Sequence, residues 1–278
     1  GPSRNAEPCM QSSRAEECFS TVKPSASRVR PSRRIPTTDG RGHSHISAGL
    51  LIIEPTTVSL DLCMDAVGKS GRVLYAFSEF YLSFYGLDPA FLFQHFGVFG
   101  CISAAVYCVD ESVERRSAIR QTMRVTDLER LVADRMRVDD HVSALLRDAR
   151  DYWAFEEGVG SGPVTFDLAK VLQVTQIRSF DFRLMHHALL QLAGITYDDQ
   201  VFAWFRAFEM LMEIEDDLPT VEEDEQGGGY NFYCLARRVV GVDAGRVVEL
   251  TRSALERQLE KDGDLLCQRG YARCSDVV

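Results

Sequence analysis

Apolar residues recur at helical spacing along nearly all of the chain from about residue 47 onward, and no stretch alternates as a half-buried strand would. The spacing predicts helices near 57–67, 70–85, 89–115, 125–150, 165–193, 198–219, 230–239 and 242–266. Turn-forming residues separate several of them: Gly86-Leu87-Asp88-Pro89, the stretch from Gly158 to Pro163, Gly194, and Gly227-Gly228-Gly229. No repeat of solenoid length is present. The pattern predicts one all-α domain over residues 46–278, with helices long enough to bundle around a central cavity.

Two helices in this pattern change character abruptly. Residues 90–109 carry no formal charge and include Phe91, Phe93, Phe96, Phe99 and Ile102. That length could cross a membrane. Gln94, His95, Gly97, Gly100 and Ser103 favour a buried central helix instead, and there is no second candidate span. The helix opens into Asp110-Glu111-Ser112-Val113-Glu114, whose outer acids share a face at i and i+4. The second case is the apolar run Val201, Phe202, Trp204, Phe205, Phe208 and Ile214, which opens into Glu215, Asp216, Asp217, Thr220 and Asp224. Asp216, Thr220 and Asp224 stand at i, i+4 and i+8, and so drift only about 80° around a helix axis. Three oxygen donors on one face suit a hard cation such as Mg2+. Read without a ligand, both stretches are acidic helix ends, the first salt-bridged by Arg115 and Arg116, the second solvated. Acids near a helix C-terminus oppose its dipole, however, and that cost needs a cause.

Composition narrows the class. The 278 residues are 45% hydrophobic and 26% charged, with net charge −10. A nucleic-acid partner is excluded on that balance, since phosphate backbones want a basic face. Residues 1–45 hold eight Lys or Arg against four acids, so the remainder carries about −14. This Ser-, Arg- and Pro-rich stretch reads as a flexible basic arm, with Gly1-Pro2 a processing scar. The location expected is the cytoplasm, or an organelle stroma if the arm is the remnant of a transit peptide. Eight cysteines without CxxC spacing read as reduced thiols. Gly68-Lys69-Ser70 lacks the upstream glycine of a phosphate loop, because position 63 is Cys. His186 and His187 have no metal-ligand partner at useful spacing and read as surface or core.

Asp216-Asp217-x-x-Thr220-x-x-x-Asp224 resembles the second metal motif of class I terpene synthases, with Asp where that family usually has Glu. Pro219 lies inside the motif and predicts a kink near Glu215. Asp110-Glu111-x-x-Glu114 resembles a relaxed form of the family's first motif, 106 residues upstream of the second. The resemblance covers roughly residues 90–260. It implies a class I terpenoid-synthase-like helical bundle that binds Mg2+ through Asp110, Glu111, Glu114, Asp216, Thr220 and Asp224. It implies a prenyl diphosphate substrate, with Arg178 and Arg183 as diphosphate-binding groups and Arg237 and Arg238 as further ones. Arg269-Gly270-Tyr271 resembles the family's C-terminal Arg-Tyr pair only loosely. Residues 178–238 look at least as much like the kainoid-type N-prenyltransferase branch, which passes a prenyl group to an amino acid nitrogen.

In chemical terms the reading is an allylic cation generated by loss of diphosphate. Cations held between two carboxylate walls stabilise the leaving group, with Arg donors beside them. Aromatic faces stabilise the carbocation, and the chain offers 16 Phe, 9 Tyr and 2 Trp. Phe180, Phe182, Trp204, Phe205 and Phe208 flank the expected site. Three outcomes remain open: cyclisation to a terpene, transfer of the prenyl group to a small amino acid, and a catalytically inactive helical binding protein. Glu222–Tyr230 is expected to close over the site, since three glycines give a hinge and four consecutive acids repel until cations arrive.

Overall fold

A computed structural model describes residues 64–114, 123–161, 165–227 and 230–271, and every regular element among them is a helix. α1 (Met64–Phe77) continues through a π-helical turn (Ser78–Leu82). α2 (Ala90–Gln94), α3 (Phe96–Glu114), α4 (Val125–Arg135) and α5 (Asp140–Ser161) follow. Then come α6 (Leu168–Arg178), α7 (Phe180–Ala193), α8 (Asp199–Asp217) and α9 (Val221–Gly227). The last two are α10 (Phe232–Val240) and α11 (Ala244–Gln268), joined by a 3-10 turn at Gly241–Asp243. The described residues all fall within the unit Thr57–Val278. The basic arm 1–45, the first part of the helix expected at 57–67, Arg115, Arg116, Gly228 and Gly229 lie outside them.

The helices start where short polar side chains can satisfy free amides. Asp167 accepts from Lys170 N at 2.8 Å, Asp198 from Gln200 N at 3.0 Å, and Asn231 from Cys234 N at 3.1 Å. Asp139 accepts from Val142 N at 3.0 Å at the start of α5. This cap divides the helix expected at 125–150 into α4 and α5. The helix expected at 165–193 is likewise two, interrupted at Ser179, and that at 89–115 is interrupted at His95. Gly194 ends α7 with φ 65°, a conformation that costs other residues a clash at Cβ.

α3 lies against α1, α4, α5 and α7, while α8 lies against α6, α10 and α11. The segment Phe96–Val113 is apolar enough to cross a membrane, but 56% of it is buried inside the fold. Phe99, Ile102, Ala105, Val106 and Val109 carry that burial at three- and four-residue spacing. Near the π turn, aromatic rings fill the interior. Tyr81 stacks on Phe205 at 4.2 Å, on Phe77 at 4.7 Å and on Phe182 at 5.9 Å. Trp204, also fully buried, donates its indole N–H to Leu259 O at 3.1 Å.

One ion pair sits inside this core. Arg183 Nε donates to Glu209 Oε2 at 2.6 Å, Arg183 Nη2 to Gln176 O at 2.6 Å, and Tyr81 OH to Glu209 Oε1 at 2.5 Å. All three side chains are buried, and Arg183 Nη1 has no partner among the described residues. Removing one member of such a pair strands the other charge in an apolar surround. Glu209→Ala should therefore lower the unfolding free energy by about 3–5 kcal/mol in urea titrations. The double change Arg183→Met with Glu209→Leu should lower it by less. Equal losses would show that the pair is not electrostatically isolated.

Candidate functional site

The break at Ser179 leaves Arg178 as the last residue of α6, facing the end of α8. Its Nη1 donates to Asp217 Oδ1 at 2.7 Å, and its Nε meets Glu213 Oε2 at 3.0 Å. The guanidinium also lies 5.0 Å from the ring centre of Tyr230. Burial works to lower the Arg178 pKa, but Glu213 and Asp217 outweigh it and hold it well above the usual value. Ser179 Oγ donates to the other Glu213 oxygen at 2.7 Å. Arg178 is thus fixed by two carboxylates of one helix.

The motif around Asp216 is not carried by one continuous helix. α8 ends at Asp217, and Pro219 stands in the turn before α9. Proline has no amide to donate and crowds the preceding turn, so the helix terminates instead of kinking near Glu215. Asp216 is left exposed at the end of α8, while Asp217 turns inward. Asp217 Oδ2 accepts from Phe232 N at 2.6 Å, so this carboxylate caps α10 as well as binding Arg178. Thr220 Oγ1 donates to Asp224 Oδ2 at 2.6 Å, and Asn231 Nδ2 meets the same oxygen at 2.9 Å. Asn231 Nδ2 also donates to Asp217 O at 2.7 Å. Thr220 and Asp224 are therefore together, with Asn231 closing the group. The expected closing segment begins as α9, and Asp224 within it is already tied down.

At the end of α3, Glu111 is buried and Asp110 partly so. Lys69 of α1 reaches both, at 3.0 Å to Glu111 Oε1 and 3.8 Å to Asp110 Oδ2. Trp153 Nε1 donates weakly to Asp110 Oδ1 at 3.4 Å. Glu114 closes α3, and only its backbone is described.

Aromatic side chains connect the two acidic ends. Trp153 meets Phe180 at 4.9 Å, Phe180 meets Tyr152 at 6.2 Å, and Tyr152 meets Tyr230 at 5.8 Å. Tyr230 in turn carries Arg178. The electrostatics agree with this chain of contacts. Burial raises the Asp110 pKa, while Lys69, the Trp153 N–H and Arg178 oppose the rise. The surrounding protein and Glu213 raise Asp216, again against Arg178. Burial pushes Asp217 up to about 6 despite its bond to Arg178. One guanidinium thus acts on carboxylates of both clusters. Beside them Asp181 is buried and accepts from Tyr107 OH at 3.3 Å. Burial, with help from Glu213 and Glu209, lifts it to about 7.

Other expected residues lie elsewhere. Arg183 belongs to the core pair with Glu209. Arg237 pairs with Glu225 and lies 5.6 Å from the Tyr233 ring centre, and Arg238 is exposed. Arg269 and Tyr271 both bind Asp198, at 2.5 Å and 3.1 Å. Asp198 caps the start of α8, roughly 27 Å from its acidic end, so the Arg-Tyr pair is remote from the site. His186 is sealed between Tyr85 OH, at 2.7 Å, and the Phe202 ring, and burial keeps it neutral. Two clefts, of about 640 Å³ at His141, His187 and Tyr197 and about 370 Å³ at Phe202, Arg206 and Leu255, contain none of the expected ligands. Lys69, Trp153, Glu213 and Asn231 were missed in the sequence. Only Asn231 left a signal, as a capping-type residue between a glycine run and an apolar helix.

The donor set can be tested against Mg2+. Among the described residues no three His, Cys, Asp or Glu side chains converge to hold a metal by themselves. Mg2+, however, commonly takes only one or two carboxylates, completing its shell with phosphate and water. Asp110, Glu111, Asp216, Thr220 and Asp224 supply hard oxygens. Burial, more than any neighbouring charge, raises the pKa of Asp110 and Asp216. Such oxygens are of the kind Mg2+ takes, but the described residues form no preformed protein cage for it. Compared with protein-family models, curated proteins and solved structures, the chain matches none.

Asp181 gives a pH test. Its native pKa, about 7, lies above the ordinary 3.8, so the folded state holds the proton more tightly than the unfolded chain. Stability from this group is present below 3.8 and is lost as pH rises toward 7. Asp181→Asn should flatten that loss between pH 4 and 7, measured as unfolding free energy across the range. An unchanged slope would assign the titration to another group.

Proposed function

We propose that this chain is a class I terpene-synthase-like enzyme that ionises a prenyl diphosphate with Mg2+. The observation that supports it most is the pair of acidic helix ends on α3 and α8, joined by an aromatic wall and both acted on by Arg178. Asp110 and Glu111 on one side, and Asp216, Thr220 and Asp224 on the other, would hold the cation together with substrate oxygens. Bound Mg2+ would offset charge on the departing diphosphate. Arg178 would turn its fork to the outer diphosphate oxygens, where bidentate bonding suits a guanidinium. Trp153, Phe180, Tyr152 and Tyr230 would face the allylic cation with their rings and exclude water. Arg183 takes no part in this reading, because Glu209 holds it in the core.

Products separate the alternatives. The protein would be incubated with prenyl diphosphates of increasing chain length and Mg2+, with and without amino acids. A hydrocarbon or alcohol supports the cyclase, and a polar prenylated adduct supports the N-prenyltransferase. No turnover with any substrate would leave a helical binding protein. Asp216→Ala and Asp224→Ala should each lower turnover by about 10- to 100-fold at limiting Mg2+. Arg178→Lys should also turn over poorly, since a single ammonium cannot span Glu213, Asp217 and a diphosphate. A melting temperature lowered with full activity would instead make Arg178 a structural pair.

A further inference from the structure

We propose that the cleft at the C-terminal end of α7 binds a free α-amino acid with an apolar or aromatic side chain, its carboxylate on Arg137 and His187 and its ammonium on Asp139. The inference does not depend on the functional reading above. α7 is 14 residues long, and the cleft centres on its last turn, roughly 20 Å along the axis from Ser179 and Arg178.

The cleft, of about 640 Å³, lies between the segment that joins α4 to α5 and the segment that joins α7 to α8. Both segments fall inside the described stretches. Gln191 of α7 fixes the first of them. Its side-chain amide donates to Arg137 O and accepts from Arg137 N, each at 2.8 Å. The Arg137 backbone is thus held while its side chain extends outward, 79% exposed.

His187 is the observation that points to a ligand. It lines the cleft and is only 5% exposed, yet its ring makes no hydrogen bond among the described residues. Its contacts are ring to ring, with Phe202 at 4.5 Å, Tyr197 at 5.3 Å and His141 at 5.6 Å. Burial pushes its pKa down to about 4, against the pull of Asp139. The ring is therefore neutral at pH 7 and offers one N–H and one lone pair. A buried polar group without a partner is costly, and a ligand in the cleft would remove that cost.

The charges select the ligand. Arg137 and Asp139 stand 3.8 Å apart, with side chains 79% and 32% exposed. A pair that long and that open adds little to stability, so neither charge is committed to the other. Asp139 spends Oδ1 on Val142 N, and Oδ2 is the oxygen that faces Arg137. A simple anion at Arg137 would be repelled by Asp139, and a simple cation at Asp139 by Arg137. A zwitterion escapes both penalties, because its two charges can lie antiparallel to those of the pair. An α-amino acid carries its carboxylate and ammonium on one carbon, a separation that suits charges this close. Its side chain has a surface of its own. His141 stacks on Tyr197 at 3.9 Å with their planes 26° apart, and Leu190 and Ile195 line the same cleft. Such a wall suits an apolar or aromatic group.

The test is an NMR titration of the wild type, Arg137→Gln and Asp139→Asn with three probes. These are phenylalanine, 3-phenylpropionate, which lacks the ammonium, and phenethylamine, which lacks the carboxylate. Phenylalanine should bind the wild type with a Kd of about 1 mM, and each of the other probes about 10-fold more weakly. Arg137→Gln should weaken phenylalanine about 10-fold and bind phenethylamine no more weakly than the wild type does. Asp139→Asn keeps a capping side chain on α5. It should weaken phenylalanine and bind 3-phenylpropionate at least as tightly as the wild type does. Equal affinity for all three probes, or no binding of phenylalanine up to about 10 mM, would overturn the proposal. So would a phenylalanine affinity that neither substitution lowers. A readout on the unaltered protein covers a variant that misfolds. His141 is exposed, and its modification by diethyl pyrocarbonate, read by mass spectrometry, should fall when phenylalanine is added. Modification unchanged at saturating phenylalanine would overturn the proposal.

Discussion

The end of α8 depends on the guanidinium of Arg178. Glu213 and Asp217 project from one helix toward the same place, and each raises the free energy of the other's charge. Arg178 meets both, and Asp217 then has an oxygen left to cap α10 through Phe232 N. Three helices, α6, α8 and α10, are joined at one point. The interruption at Ser179 makes this possible, because a continuous helix through that position would not end at Arg178. Ser179 itself spends its hydroxyl on Glu213. A group expected to read substrate is therefore also a structural tie, and one residue can serve both purposes only if its partners can exchange.

The helical plan was legible because it rests on local causes. Apolar spacing and turn residues located most of the helices, and the uncharged stretch 90–109 became a core helix as its burial required. The missed breaks at Ser179 and Met136–Asp139 have weak local signals, since neither contains glycine or proline. Asp139 has a capping side chain, but its neighbours continue a helical pattern. The break after Asp217 shows the opposite limit. Pro219 was read correctly as a disturbance, but proline alone does not say whether a helix bends or stops. Here a turn over residues 218–220 separates α8 from α9.

The acidic helix ends were legible in the sequence, and the groups that meet them were not. Acid pairs at the ends of apolar helices stand out in a sequence because they oppose propensity and dipole. What balances them does not stand out. Lys69 is one lysine on an amphipathic helix, and its meeting with Glu111 depends on how α1 lies along α3. Arg183 illustrates the converse. In sequence it resembles Arg178, sitting in an apolar segment five residues away. The first turn of α7 carries it into the core, where Glu209 and Tyr81 hold it.

The placement of these acids carries an energetic cost. Asp216 and Asp217 lie at the C-terminus of α8, where carbonyl dipoles already present negative charge. Carboxylates there are costly, and burial of Glu111 and Asp217 adds to the cost. The fold offsets part of it with Lys69 and Arg178, yet Asp110, Asp216 and Asp217 keep raised pKa values. Apolar residues of similar volume would commonly be at least as stable in such positions. Two acidic helix ends thus stand on either side of one aromatic wall, with Lys69 beside one and Arg178 beside the other.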